Sequence, residues 1–303
     1  MKNHKQVQLT DRDNEFWNYL ESSIKKDVQK LSGKLEELIP WKGATSMVTP
    51  QVPLKDIINA RMVRVEKGNY YLQIYLGFIY WLDDTAMWMN KDVPFRSSLY
   101  LNRIKKLDDL SAWMHTNWLS WVVNHEFGHL ICGHLPIKNE CEWNEFGVSN
   151  YQRTMKSELK IACEYDADIY AACIFFGSID TILKSDSLNS IKEKYFFDIG
   201  MIFSGLFIAL DHLSPPNSNT HPSAVQRFMI FMMVGLAEYA RHTRKDPIIE
   251  YECFINGAMK CFALLNKDGI EYANKLVDFD FSEVLRSRKI LIDNDFINTQ
   301  IPI

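Results

Sequence analysis

Several features that mark other classes of protein are absent from this sequence. Its 303 residues include only 10 prolines and 13 glycines, and 47% are hydrophobic, so extended disorder is not expected. No run of basic residues is present and the formal net charge is −4, which argues against nucleic acid as a partner. The six cysteines form no C-x-x-C pair, and residues 1–10 contain no apolar signal core. Reduced thiols in a cytoplasmic protein are therefore expected.

The sequence also has no apolar run as long as a membrane span. Its two strongest runs, residues 199–210 and 228–237, both fall short of the roughly 18 apolar residues expected of a spanning helix. They are predicted to be buried core helices, without membrane insertion.

Hydrophobic periodicity predicts a mainly α fold of the α+β class. Residues 10–39 have the spacing of one long amphipathic helix, and Pro40 ends it. Residues 61–66 and 70–75 have the composition of two strands joined by a turn, which predicts a β-hairpin. Further helices are predicted at 77–89, 111–132, 157–176, 191–213, 222–243, 248–266 and 269–288. Residues 1–303 are predicted to form one domain, with an N-terminal helical segment (1–60), a central part (61–240) and C-terminal helices (241–303).

The predicted helix 111–132 contains the sequence H-E-F-G-H at positions 125–129. Residues four apart lie on one face of a helix, so His125 and His129 project together and suit a tetrahedral zinc ion (Zn2+). Glu126 is predicted to be the general base, since it can take a proton from a metal-activated water and pass it to the leaving amine. The pattern follows apolar residues, among which histidine and glutamate would be costly to bury without a partner.

A catalytic zinc site needs a third protein ligand. A metzincin would have a histidine six residues after His129, but position 135 is leucine and His134 is only five residues on. The alternative is Glu164, which lies four residues before Asp168 in an alanine-rich helical run. Glu164 is predicted to bind the metal, and Asp168 to accept a hydrogen bond from the distal N–H of a ligand histidine.

Three neighbouring residue types receive no metal role. Asp166 is expected to point away from the site, and the His/His/Glu set is complete without Cys132 or Cys163. The tryptophans near the motif, at positions 113, 118, 121 and 143, are expected to pack in the core, with a specificity pocket as the alternative.

A third cluster is Thr220-His221-Pro222, followed by Arg227. Asn219 or Thr220 is predicted to cap a helix that starts at Pro222, which puts His221 at the mouth of that helix. His221 would either stabilise an oxyanion or reach the metal as a fourth, inhibitory ligand. Arg227 is predicted to anchor this segment to a carboxylate.

The segments HEFGHLICGH (125–134), EYDAD (164–168) and THPSAVQR (220–227) resemble, in this order, the motifs of the gluzincin family that includes the HtpX-like and CAAX-prenyl-type endopeptidases. The resemblance implies a zincin-like core over residues 61–240, a zinc ion on His125, His129 and Glu164, and a protein substrate. Residues 72–79 resemble that family's strand and following helix start, which implies a strand that borders the cleft and pairs with extended substrate.

The chain departs from that family because it lacks long transmembrane helices and because residues 85–117 resemble an insertion. The departures imply a soluble peptidase with a specific protein target. In size and soluble character the chain also resembles the phage-exclusion peptidases of the Lit type. Two alternatives are a regulator-cleaving peptidase of the ImmA/IrrE kind, which shares H-E-x-G-H, and a non-proteolytic zinc-binding regulatory protein. The intact Glu126 argues against the latter.

Overall fold

The computed structural model describes Ser22 and residues 47–66, 69–101, 107–134, 157–185, 192–213, 222–277 and 282–293. Most of these residues are helical, and a small sheet lies near the start, which confirms a mainly α fold. The predicted helix over 10–39, the loop after His134 and His221 fall outside the described residues, apart from Ser22.

The sheet has three strands: β1 (Met47–Gln51), β2 (Ala60–Glu66) and β3 (Asn69–Ile74). β2 and β3 are antiparallel, which confirms the predicted hairpin. β1 was not predicted from the sequence; it pairs parallel to β3 and gives the order β1-β3-β2. Because β3 is therefore the central strand, the expectation that it pairs with substrate is wrong. The strand with the main contact to the helix that carries His125 is β2.

The described helices are α1 (Leu76–Lys91), α2 (Val93–Ser98), α3 (Leu107–Ile131), α4 (Ser157–Ser185), α5 (Lys192–Leu213), α6 (Ala224–Thr243), α7 (Ile248–Leu264), α8 (Asn266–Val277) and α9 (Ser282–Asp293). The single helix predicted over 269–288 is wrong, because two helices, α8 and α9, occupy this part of the chain. Ser282 begins α9, and serine favours helix starts over helix interiors.

The central core is rich in phenylalanine. Most of its buried members come from α4, α5, α6 and α7, and their rings meet in tilted and edge-to-face contacts. Phe203 and Phe231 are the most closely stacked pair, with ring centroids 4.2 Å apart. Among the described residues, α5 alone is long and apolar enough to cross a membrane, and 72% of its most apolar window is buried inside the protein. The absence of membrane insertion stays a prediction.

Candidate metal centre and active site

Helices α3 and α4 approach each other very closely beside the H-E-F-G-H sequence. A Cβ atom at Gly128 would lie 2.8 Å from the Cα of Ala167 and 3.0 Å from its carbonyl oxygen. Real side chains do not come this close, so only glycine permits the contact without a shift of the helices. The sequence analysis gave Gly128 no role, although it lies between the two histidines.

The close approach brings together the side chains of the predicted ligands. Nε2 of His125 is 3.1 Å from Nε2 of His129. Oε2 of Glu164 is 3.3 Å from Nε2 of His125, and its Oε1 is 3.6 Å from Nε2 of His129. All three side chains are at least 98% buried. The two imidazoles and one carboxylate therefore converge on one point between α3 and α4.

This arrangement fits a tetrahedral metal ion. Ligand bonds of about 2.0–2.1 Å at tetrahedral angles put neighbouring donor atoms about 3.3 Å apart. The 3.1 Å between the two imidazole nitrogens and the 3.3 Å from Nε2 of His125 to Oε2 of Glu164 lie close to that value, and the other Glu164 oxygen is 3.6 Å from Nε2 of His129. Burial lowers the pKa of His129 well below its ordinary value, although the Glu164 carboxylate opposes the shift. A neutral imidazole is the form that a metal requires.

Asp168 and Arg227 form a buried ion pair behind His125. Oδ1 of Asp168 is 2.8 Å from Nδ1 of His125. Arg227 donates from Nε to Oδ2 of Asp168 at 3.0 Å and from Nη2 to Oδ1 at 2.9 Å. The bidentate pair fixes the carboxylate, and the carboxylate fixes the ring of His125 with Nε2 towards Glu164. The carboxylate predicted to anchor Arg227 is thus Asp168 itself.

Trp121 contributes to the site as well as to the core. Its side chain is fully buried, as expected, and its ring lies 5.7 Å from that of His125. The guanidinium carbon of Arg227 lies 4.9 Å from the centre of the indole ring, within the range of a cation–π contact. Trp121 is one helical turn before His125, the spacing at which side chains of one helix contact each other.

Glu126 follows the first ligand histidine on α3 and is 1% exposed. Its carboxyl group lies on the same helix as His125 and His129, two of the three predicted metal ligands.

A second group of metal-type side chains lies at the end of α3. Cys132, His134 and Asp166 each offer a ligand atom within 4.8 Å of the others. Nδ1 of His134 is 3.0 Å from Nδ1 of His129, and Nε2 of His134 is 3.2 Å from Oδ2 of Asp166. Asp166, which has no role in the sequence-based prediction, contacts His134, and His134 in turn contacts His129.

The start of α6 corrects one prediction. The cap is neither Asn219 nor Thr220, and the helix begins at Ala224 instead of Pro222. Ser223 accepts a hydrogen bond from the backbone N–H of Gln226, and the Gln226 side chain accepts one from the backbone N–H of Ser223. This reciprocal capping box satisfies two donors at the helix start, and its S-x-x-Q pattern was visible in the sequence.

The fold and site together define a mainly helical protein with a buried donor set of the kind found in metal-dependent hydrolases. The Peptidase U49 family model, which describes the Lit-type peptidases, matches residues 107–237 and so includes every one of these side chains. The match supports a peptidase. No curated protein and no solved structure matches the chain.

Proposed function

We propose that this protein is a zinc-dependent endopeptidase of the gluzincin type, with a zincin-like core. The observation that carries the proposal is the convergence of His125, His129 and Glu164 at separations suited to one tetrahedral metal ion. Three protein ligands leave the fourth position for substrate or water, as catalysis requires.

A zinc ion held by His125, His129 and Glu164 would supply Lewis-acid chemistry to the peptide carbonyl and to the attacking water. Glu126 takes the proton from the attacking water and delivers it to the nitrogen of the leaving amine. Asp168, fixed by Arg227, keeps His125 in the tautomer that offers Nε2 to the metal. His221 belongs to the proposal in one of two roles, as an oxyanion donor or as an inhibitory fourth ligand.

An extended segment of a protein substrate would pair with β2. This strand contacts α3 and, among the described strands, pairs only with β3. Its other edge would offer backbone N–H and C=O groups to a peptide next to the metal ligands, a common mode of peptide recognition.

The experiment compares zinc content and proteolysis in the wild type and in Glu126→Gln. Zinc is measured by elemental analysis, and cleavage by mass spectrometry on a proteome-derived peptide library. We expect one zinc per chain in both proteins and at least a 100-fold loss of cleavage in the variant, about the lower end of the contribution of a general base. Glu158→Gln is the matched control, because Glu158 is exposed on α4, and it should cleave like the wild type.

Two outcomes would contradict the proposal. A wild-type protein that contains no zinc and takes up none on titration would remove its basis. Zinc binding without cleavage of any peptide would favour the non-proteolytic regulatory protein instead.

The match to Peptidase U49 favours the Lit-type alternative over the ImmA/IrrE kind, and we extend the proposal to phage exclusion from the cytoplasm. Phages plated on cells that produce the wild type should form fewer plaques than on cells that produce Glu126→Gln. Equal plating would contradict this role without affecting the peptidase assignment. Recovery of the protein in the membrane fraction would contradict the location.

A further inference from the structure

We propose that His134 and Asp166 form a hydrogen-bonded chain that positions His129 for metal binding. The inference rests on the proposed function and names two positioning residues for it. It also assigns a role to the second group of metal-type side chains, which the reaction does not use directly.

The end of α3 puts His134 against His129. The backbone N–H of His134 donates to the carbonyl of His129 at 2.9 Å, and that of Gly133 donates to Leu130 at 3.2 Å. This pair of bonds is a Schellman motif, and Gly133 has the positive φ of 77° that the motif requires. Residues at the positions of His129 and His134 in this motif often contact each other. Here the contact joins two buried imidazoles.

If His129 is a neutral metal ligand, one placement of the hydrogen atoms satisfies both contacts of His134. His129 turns Nε2 towards His125 and Glu164, so as a neutral metal ligand it carries its proton on Nδ1. That N–H donates to Nδ1 of His134 across 3.0 Å. His134 must then carry its own proton on Nε2, and this N–H donates to Oδ2 of Asp166 across 3.2 Å. Every nitrogen in the chain has a defined role.

The same proton placement argues against a second metal ion on Cys132, His134 and Asp166. A metal there would take Nε2 of His134 and leave the proton on Nδ1. Two N–H donors, one on each histidine, would then face each other at 3.0 Å whenever His129 also held a metal. The two metal sites therefore oppose each other, whereas the hydrogen-bonded chain and the first site support each other.

The two ligand histidines are thus oriented from the same stretch of α4. Asp168 contacts His125 directly, and Asp166 contacts His129 through His134. Partners of metal-bound histidines fix the tautomer and ring orientation, and their loss typically weakens metal binding by about 10–100-fold.

A matched pair of variants at position 134 tests the chain. His134→Leu removes the acceptor that faces Nδ1 of His129, whereas in His134→Asn the side-chain oxygen replaces Nδ1 of the imidazole. Zinc dissociation constants are measured by competition with a chromophoric chelator. We expect His134→Leu to bind zinc about 10–100-fold more weakly, and His134→Asn to recover most of the loss. Asp166→Asn should also weaken binding, because it removes the carboxylate that orients His134.

Cys132→Ser is the control that separates the chain from a second metal site. If His134 and Asp166 only position His129, Cys132→Ser should bind one zinc per molecule with wild-type affinity. The same positioning role predicts that the cobalt-substituted wild type shows no thiolate-to-cobalt charge-transfer absorption. Two zinc ions per wild-type chain, with one lost in Cys132→Ser, would overturn the inference.

Wild-type zinc affinity in His134→Leu would also overturn it, while leaving the peptidase proposal intact. If His134→Leu does not fold, Asp166→Asn is the deciding variant. Wild-type zinc affinity in Asp166→Asn would contradict a positioning role for the hydrogen-bonded chain. A wild type that binds no zinc at all would contradict the proposed function itself.

Discussion

Two helix pairs in this protein, α5–α7 and α3–α4, are each packed closely through glycine. In α5 and α7, a Cβ at Gly200 would lie 2.1 Å from the carbonyl oxygen of Phe254, and one at Gly257 would lie 2.0 Å from that of Phe197. In α3 and α4, Gly128 meets the backbone of Ala167 in the same way. Both pairs are thus held at a separation that only glycine permits.

The side chains around these contacts differ. The α5–α7 contact is surrounded by aromatic and aliphatic groups, whose burial stabilises the fold. The α3–α4 contact encloses two histidines, a glutamate and Asp168, whose burial costs free energy unless each is hydrogen-bonded, ion-paired or metal-bound. Close packing between α5 and α7 therefore stabilises the fold, whereas close packing between α3 and α4 brings together the side chains of the proposed metal site.

The largest loss of stability is expected when the ion pair between Asp168 and Arg227 is broken. Arg227→Met leaves the buried Asp168 carboxylate without its cation, and loss of one partner of a buried pair costs about 3–5 kcal/mol. Chemical denaturation of the chelator-treated protein measures the free energy of unfolding. Arg227→Lys keeps the charge but not the bidentate geometry and should lose less. Equal stability of Arg227→Met and the wild type would show that the pair contributes nothing.

The second prediction concerns the glycine contact at the metal site. Gly128→Ala pushes α3 away from α4 and so moves His125 and His129 away from Glu164. We expect zinc binding to weaken by more than about 100-fold, beyond the usual cost of losing an outer partner of a ligand. Chelator competition measures the affinity. A Gly128→Ala protein with wild-type zinc affinity would mean that the close approach is not needed for the site.

Gly200→Ala is the counterpart in the apolar pair. Overpacking a tight contact costs about 1–3 kcal/mol, and here the opposing atoms belong to the backbone of Phe254 and cannot rotate away. We expect that loss in the free energy of unfolding, together with an unchanged zinc affinity. If zinc affinity falls as well, the two helix pairs are coupled, and the assignment of stability to α5–α7 and metal binding to α3–α4 is wrong.

The last prediction concerns how stability depends on pH, and it rests on Asp198, the buried carboxylate on the apolar helix α5. Its carboxyl accepts hydrogen bonds from the backbone N–H groups of Tyr100 and Leu101 at 2.9 and 2.8 Å. Burial nevertheless raises its pKa from 3.8 to about 7. A raised acid pKa contributes stability that is complete below pH 3.8 and is lost as the pH rises from there through 7.

This pH dependence can be measured on the chelator-treated protein by denaturation at several values between about pH 4 and pH 8. The slope from one proton is at most about 1.4 kcal/mol per pH unit. Asp198→Asn should lack that part of the slope. Parallel curves for the wild type and Asp198→Asn would contradict the assignment.

The sequence predicted those parts of the site that depend on spacing within one helix. The pairs His125/His129 and Glu164/Asp168 are each four residues apart, and in the structure each pair shares a helix face, with three of the four side chains meeting at one point. The hairpin was also predictable, because its strands are adjacent in the chain.

The features that could not be predicted from the sequence depend on contacts between segments that are distant along the chain. β1 joins the sheet by parallel pairing with a strand that follows it by about 20 residues, and no local pattern reveals such pairing. The role of Asp166 depends on His134, which reaches it only because Gly133 turns the chain back at the end of α3. The sequence Gly133-His134, with its histidine five residues after a ligand histidine, was the available signal.

The side chains of the proposed metal site come from two helices, since α3 ends at Ile131 and α4 begins at Ser157, and a third helix, α6, supplies Arg227. The unfolded chain cannot hold these groups together, so an ion that binds them binds only the folded state. By mass action, free zinc at about 1,000 times its dissociation constant would add about 4.1 kcal/mol to the free energy of unfolding. The supply of zinc in the cell would then set how long each molecule survives as well as whether it can react.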